Sequence, residues 1–316
     1  MKFICTADWH LRSSRPRCRL DADWMETQMN ALRQVERLSE KYECPIIVVG
    51  DVFDTAATDI SFSLLTAVQQ WAAGLKNELV LIAGNHDLQY HDIANINKSG
   101  VGILRNSFNI LPGIAMRDLF GEDITAYDFG EEKRTDSFSE NDNPPDAEIV
   151  FLHRLTFPDV KSLPPNVKAC TAPDLLKEFE DANWIFTGDY HKCFHYEKKG
   201  RHVINPGCLI RQSANEKDYT PIVYFVDTEK NQVHPFEIED DEELVTDEYL
   251  REVEQRESRI DAFVELLKTK GSMTLDFIKN VEARLRENRD VYDEETMEKI
   301  ISDETVKCIR ELIYEE

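Results

Sequence analysis

Five short apolar runs in this 316-residue chain each stop at a residue able to hold a metal ion. Residues 2–7 run into Asp8-Trp9-His10, residues 45–49 into Gly50-Asp51-Val52-Phe53-Asp54, and residues 79–83 into Gly84-Asn85-His86-Asp87. Residues 148–152 stop at His153, and residues 184–187 at Gly188-Asp189-Tyr190-His191. The runs are rich in β-branched residues and continuously apolar, the pattern of strands covered on both faces. Strands of that kind belong to α/β architecture, and in an open α/β sheet the carboxyl ends of parallel strands line one crevice. Carboxylates and imidazoles distant in sequence are therefore expected to converge there.

Helical spacing over residues 23–42 and 61–75 separates the early runs. Later runs at 201–205, 221–227 and 233–238 follow one another with little helix between them, which predicts a second, more antiparallel sheet. Residues 130–146 are polar, charged and proline-containing, so a mobile surface loop is expected. Beyond residue 237 acidic side chains outnumber basic ones roughly two to one, while apolar positions such as Leu250, Val253, Ile260, Phe263 and Leu267 recur at helical spacing. The chain thus reads as a domain over residues 1–240 and an acidic, all-helical region over residues 241–316, with helices at 247–270, 274–289 and 294–314.

A net charge of -24 sets the electrostatic problem for any polyanionic substrate, because the global field repels it. Local basic patches and bound cations must do the attracting. The dense basic cluster Arg12, Arg15, Arg17 and Arg19 directly follows the first metal-capable motif. Seven scattered cysteines with no C-x-x-C spacing argue against a disulfide framework or a zinc knuckle and read as reduced thiols. No apolar stretch approaches the ~20 residues that span a bilayer. Met1 opens directly into a strand-like run instead of a signal peptide, so the expectation is a cytoplasmic protein without a membrane partner.

The metal-capable set is Asp, Asn and His without thiolate, a mixed oxygen and nitrogen inventory that suits manganese, with magnesium, iron and zinc as alternatives. Two divalent ions about 4 Å apart, sharing a carboxylate, acidify a water and clamp a phosphodiester for in-line attack. The residues supply the ligands for such a pair.

At these positions the sequence resembles the calcineurin-like metallophosphoesterase superfamily, whose pattern is D-x-H, G-D-x-x-D, G-N-H-[D/E], a lone His, then G-H-x-H. The resemblance implies a two-sheet α/β/β/α sandwich. It implies that Asp8, His10 and His191 hold one metal and Asn85 and His153 the other, with Asp51 as the bridge. His86 then takes the place of a non-ligand histidine that protonates the leaving oxygen or steadies the charged transition state. Asp54 takes the place of the residue that orients it through a hydrogen bond. The sequence departs from the pattern at Asp189, where the family has histidine. A carboxylate there still ligates and favours a harder ion such as manganese; the competing reading is a weakened second metal.

Within the superfamily the chain is most similar to SbcD-type double-strand-break nucleases, including bacteriophage versions. The similarity rests on residues 7–11, 50–54 and 84–88, and on Asn205-Pro206-Gly207-Cys208-Leu209-Ile210-Arg211-Gln212-Ser213, and covers residues 1–240. It implies DNA as substrate, exonuclease or endonuclease action, and an SbcC-type ATPase partner docked by the C-terminal helices; a second copy of the chain is a further candidate partner. The family continues with a mixed capping domain, and because the remaining segment reads as helical that cap is expected to be either missing or rebuilt. Arg12, Arg15, Arg17 and Arg154 are candidates for contacts with the nucleic-acid backbone. His195 and His202 lie outside the pattern and read as structural or exposed. Two other functions stay open: a small-molecule phosphatase or cyclic-nucleotide phosphodiesterase, and a non-catalytic scaffold in which Asp189 has cost the second metal.

Overall fold

In the computed structural model the five metal-tipped runs all become strands, but of two sheets rather than one. The structure describes residues 1–106, 110–121, 123–130, 147–165, 169–248 and 250–251. In the first sheet β1 (Lys2–Thr6), β2 (Ile46–Val49), β3 (Leu79–Ile82) and β4 (Ile110–Pro112) lie parallel in that order. The second sheet contains β5 (Ile124–Tyr127) and β6 (Ile149–Leu152). Between these and the last strands, β7 (Thr156–Phe157) and β8 (Cys170–Thr171) form a small parallel pair. The second sheet continues with β9 (Trp184–Phe186), β10 (Phe194–Lys198) and β11 (Arg201–Asn205), and its order is β10-β11-β9-β6-β5. Finally β12 (Ile222–Asp227) and β13 (Gln232–Glu237) add antiparallel to the β1 edge of the first sheet.

The late runs therefore do not build the separate antiparallel sheet expected of them. β11 extends the second sheet in parallel with β9, whereas β12 and β13 close the edge of the first. An apolar run encodes a strand, but not which exposed edge it finds.

Alternation of side chains across each strand sorts the layers. Phe3, Cys5, Ile47, Val49, Val80 and Ile82 of the first sheet meet Ile149, Phe151, Trp184, Phe186 and Ile204 of the second. Phe3 packs edge-on against Phe151 and Phe186 at 5.5 and 5.1 Å between ring centres. Their alternate neighbours Ile4, Ile46, Val48, Leu79 and Leu81 face α1 (Trp24–Tyr42) and α2 (Phe62–Ala73). On the other outer face Val150, Leu152, Ile185 and Val203 are covered by a short helix, Ala172–Glu178. Each of these strands is buried on both sides, which is why its sequence shows no polar alternation. Full burial of each such aliphatic or aromatic side chain contributes about 1.5–3 kcal/mol. The layers are helix, sheet, sheet, helix, as the resemblance implied.

Helix starts follow from capping: the Asp23 carboxylate accepts from Glu26 N before α1, and Ser61 Oγ accepts from Leu64 N before α2. The chain divides into two compact units, Met1–Val245 and Thr246–Glu316. The C-terminal helices expected beyond residue 251 and the loop expected over 131–146 lie outside the described residues. No helix among the described residues is long and apolar enough to cross a membrane.

Candidate metal centre

Each metal-capable residue sits in the loop that leaves a strand, and these loops adopt an unusual backbone. Asp8, His10, Asp51 and Asp189 have φ of 48°, 44°, 52° and 72°. Few non-glycine residues enter this left-handed region, although Asp and His tolerate it better than most. Such residues cluster where surrounding structure holds the chain against its preference, at about 1–3 kcal/mol each. Here Asp8 N donates to Gly50 O at 3.0 Å, His10 N to Asp51 O at 3.0 Å and Leu11 N to Val52 O at 2.9 Å, zipping the first two loops together. The Asp87 carboxylate receives the N–H groups of Val52, Phe53 and Gly84 at 3.1, 2.9 and 3.0 Å, tying the third loop to the second. A Cβ at Gly84 would strike Oδ1 and the main-chain N of Asp51, and one at Gly50 would strike the His153 ring. Glycine permits the close approach at both places.

The result is convergence across the two sheets. Asp8, Asp51, Asn85 and His86 follow strands of the first sheet; His153, Asp189 and His191 follow strands of the second. Asp51 Oδ1 accepts from His86 N at 2.9 Å, while its Oδ2 stands 3.2 Å from His153 Nε2 and 3.7 Å from His10 Nε2. His153 Nδ1 donates to Val49 O at 2.8 Å, and its Nε2 also lies 3.0 Å from Asn85 Oδ1. His10 Nε2 and His191 Nε2 face each other at 3.1 Å. His191 Nδ1 donates to Glu216 Oε1 at 2.9 Å, and His86 Nδ1 to Asp54 O at 2.8 Å. In His86, His153 and His191 the outward hydrogen bond at Nδ1 leaves Nε2 as the free nitrogen.

Asp8, Asp51 and His153, all fully buried, form one compact group of ligand atoms, and His10, Asp54 and His86 a second. Burial raises the Asp8 carboxyl to about 6 although the His153 charge opposes it. Burial also works against Asp51, but the charge and hydrogen bond of His153 hold its carboxyl well below the usual range. Burial alone would lower His153, yet Asp51 takes it to about 10. His191 is likewise carried against burial to about 9, chiefly by its bond to Glu216. His10, where burial dominates, falls to about 3. The buried carboxylates thus favour the charged form of the two histidines that face them.

Three atoms give a direct test of whether divalent ions fit. Asp8 Oδ2 and His10 Nδ1 are buried without a hydrogen-bond partner, and Asp51 Oδ2 is met only by the rings of His153 and His10. Unpaired buried carboxylate oxygens are costly unless a cation compensates them. Carboxylate and amide oxygens interleaved with imidazole nitrogens form the donor set that first-row divalent ions accept. Asp8, His10, Asp51, Asn85, His153 and His191 fit such ions, and Asp51 Oδ2 is within 4 Å of both His153 Nε2 and His10 Nε2.

Other expected residues are placed differently. Asp54 orients His86, but through its main-chain carbonyl; its carboxylate instead pairs with Arg12 Nη1 at 2.9 Å and lies 3.7 Å from His10 Nδ1. Sequence spacing located the residue but not which of its oxygens would point inward. The main-chain N of Asp189 donates to Asp8 Oδ1 at 3.0 Å, and its carboxylate charge helps raise His153, yet it joins neither compact ligand group. Arg12 lies at the mouth between Asp54 and Asp59. Arg15 Nη1 donates to Asp21 O at 2.7 Å, Arg17 is exposed, and Arg154 pairs with Glu178 at 2.7 Å. Arg19, read in the sequence as part of the basic mouth, is buried in a network with Asp21, Asp240 and Arg211. His202 stacks on Trp184 at 4.1 Å and bonds His195 at 2.9 Å, a structural pair.

An open cavity of about 190 Å³ leads to the site, lined by His10, Arg12, Asp54, His86, His191 and Glu216, among others. Gln212 belongs to the nuclease-like segment, but Glu216 was not among the residues the sequence singled out. The similar segment ended at Ser213, three positions short of Glu216, and a carboxylate without a metal-ligand motif around it gives no signal of its own.

A family model described as calcineurin-like phosphoesterase matches residues 1–193. No curated protein matches the chain. Similar solved structures include an archaeal phosphodiesterase, 14% identical, covering 75% of this chain and 99% of that one with a TM-score of 0.35. Another is the Pseudomonas putida nuclease MPE, 15% identical, covering 74% and 87% with a TM-score of 0.32. A third is a putative 5'-nucleotidase from Staphylococcus aureus, 12% identical, covering 81% and 57% with a TM-score of 0.44.

Proposed function

The chain belongs to the calcineurin-like phosphoesterase family, and from that premise we propose that it is a divalent-metal-dependent phosphodiesterase that cleaves DNA. The observation that carries the hydrolytic part is the buried Asp51 Oδ2 lying 3.2 Å from His153 Nε2 and 3.7 Å from His10 Nε2. Asp8, His10, Asp51, Asn85, His153 and His191 are the residues that would hold the ions. When bound, the ions supply Lewis-acid charge and an acidified water, with manganese the best match to the donors. Arg12, half-buried at the cavity mouth, meets the phosphate charge. His86 is fixed through Nδ1 on Asp54 O, and in its imidazolium form, with a proton on both ring nitrogens, the Nε2–H would protonate the leaving oxygen.

The DNA part is supported by the SbcD-like segments, and in the same reading the acidic residues 241–316 dock an SbcC-type ATPase. The test is hydrolysis of end-labelled linear DNA with manganese, with and without that ATPase, beside turnover of bis-p-nitrophenyl phosphate. Manganese-dependent shortening of the DNA is expected. A chain that turns over small esters but leaves DNA intact refutes the substrate assignment.

A second reading, a small phosphoester as substrate, is compatible with the size of the recess. The 190 Å³ cavity is smaller than the ~300 Å³ at which pockets for drug-sized ligands begin. Such a recess takes one phosphate linkage of a polymer lying across its rim, and equally a small phosphoester. The same paired assay separates the two.

A further inference from the structure

We propose that Glu216 is a positioning residue that fixes the tautomer and ring orientation of His191, so that Nε2 is presented as a metal ligand opposite His10. The proposal rests on the metal-dependent reading above and assigns a residue that no family motif marks. Glu216 is 7% exposed, and its Oε1 receives His191 Nδ1 at 2.9 Å. Its Oε2 receives the main-chain N–H groups of Gln212 and Ser213 at 2.8 and 3.0 Å, so the carboxylate cannot swing away without breaking three hydrogen bonds. A proton on His191 Nδ1 leaves the lone pair on Nε2, the atom 3.1 Å from His10 Nε2.

The segment that carries Glu216 is itself clamped to both ligand loops. Cys208 N donates to His191 O at 3.0 Å, and Leu209 N to Asp8 O at 3.2 Å. Gln212 Nε2 donates to Trp9 O and His10 O at 3.1 and 2.9 Å. Arg211, between these contacts, is locked through its Nε to Asp240 at 3.0 Å. The stretch 208–216 therefore sets the distance between the His10 loop and the His191 loop and delivers one carboxylate to the outer nitrogen of His191. Carboxylates behind ligating histidines orient the ring and raise its basicity, and their loss weakens metal affinity by about 10–100-fold.

Glu216→Gln is the decisive variant. It keeps an oxygen for the two main-chain N–H groups but turns an amide NH₂ toward His191 Nδ1, which favours the proton on Nε2 where the lone pair is needed. Manganese binding to the full chain is measured by calorimetric titration for the wild type, Glu216→Gln, Glu216→Ala, His191→Ala and the Glu216→Gln/His191→Ala pair. The histidine tautomer is read from ¹⁵N shifts. Glu216→Gln should bind manganese about 10–100-fold more weakly, lose the Nδ1–H signature of His191, and add nothing further when His191 is already alanine. Equal affinity in wild type and Glu216→Gln, or a full additional loss in the His191→Ala background, overturns the proposal. A wild type that takes up no manganese overturns the metal reading itself, and an unchanged His191 tautomer in Glu216→Gln sinks the positioning role independently. Should Glu216→Ala fold poorly, as a thermal melt would show, the near-isosteric glutamine variant still decides.

Discussion

The Nε2 atoms of His10 and His191 stand 3.1 Å apart although the residues are 181 positions apart in the chain. Two imidazole nitrogens at that separation either share one N–H hydrogen or face a metal ion together. Removing either ring should therefore unmake the site. His10→Ala and His191→Ala should each lower manganese affinity at least ~10-fold, measured by metal content after equilibrium dialysis. Wild-type stoichiometry in both variants would contradict the assignment. Chelation should abolish hydrolysis, with activity restored by added manganese.

His86 predicts a different separation of effects. Its ring is held through Nδ1 to Asp54 O rather than by the buried carboxylates, so His86→Ala should leave metal content intact. Hydrolysis should fall by about 10²–10⁴-fold, the usual worth of a positioned proton donor. The check is kcat on DNA beside metal counting on the same sample. A near-normal kcat removes the proposed role.

Gly84 carries a packing prediction. Gly84→Ala would drive a methyl into Asp51 Oδ1 and its main-chain N, where little can yield. Destabilisation of about 1–3 kcal/mol is expected, together with weaker metal binding because Asp51 must shift. Urea unfolding and manganese titration read the two effects separately; a variant unaffected in both would show that the loops are looser than their hydrogen bonds indicate.

Asp21 supplies the pH dependence. Burial tends to raise its carboxyl, but hydrogen bonds from Arg19 and Thr27 outweigh it and hold the folded-state pKa below the ordinary value. A group depressed on folding contributes stability that is present above its unfolded pKa, near ~3.9, and is lost as pH falls through the folded value. Stability should therefore drop below about pH 4 more steeply in the wild type than in Asp21→Asn, compared by urea midpoints across pH 2–7.

Arg19 makes the same network vulnerable from the other side. It is fully buried between Asp21 and Asp240 at 2.7 and 2.8 Å, so among the described residues Arg19→Ala strips Asp21 of its only ion-pair partner and leaves Asp240 to Arg211 alone. A cost of about 3–5 kcal/mol is expected, since breaking a buried pair leaves uncompensated charge. A shift in the urea midpoint worth less than ~1 kcal/mol, the scale of a surface pair, would place this residue at the surface, as its neighbours Arg15 and Arg17 suggested.

The amino-acid sequence by itself determined that strands would be buried on both faces and that each would end in a metal-capable residue. Both facts are local: continuous apolar runs signal doubly covered strands, and Asp8, Asp51, Asn85 and His191 stand in short motifs whose residue types limit the chemistry. Only the tertiary structure decided that these ends come from two sheets, with β12 and β13 joining the first and β11 the second. It alone turned the Asp54 carbonyl, not its carboxylate, toward His86, buried Arg19 away from the mouth, and brought Glu216 behind His191. Those outcomes depend on which edges pair and which oxygen a loop leaves facing inward, and such choices are settled by contacts between segments far apart in the chain.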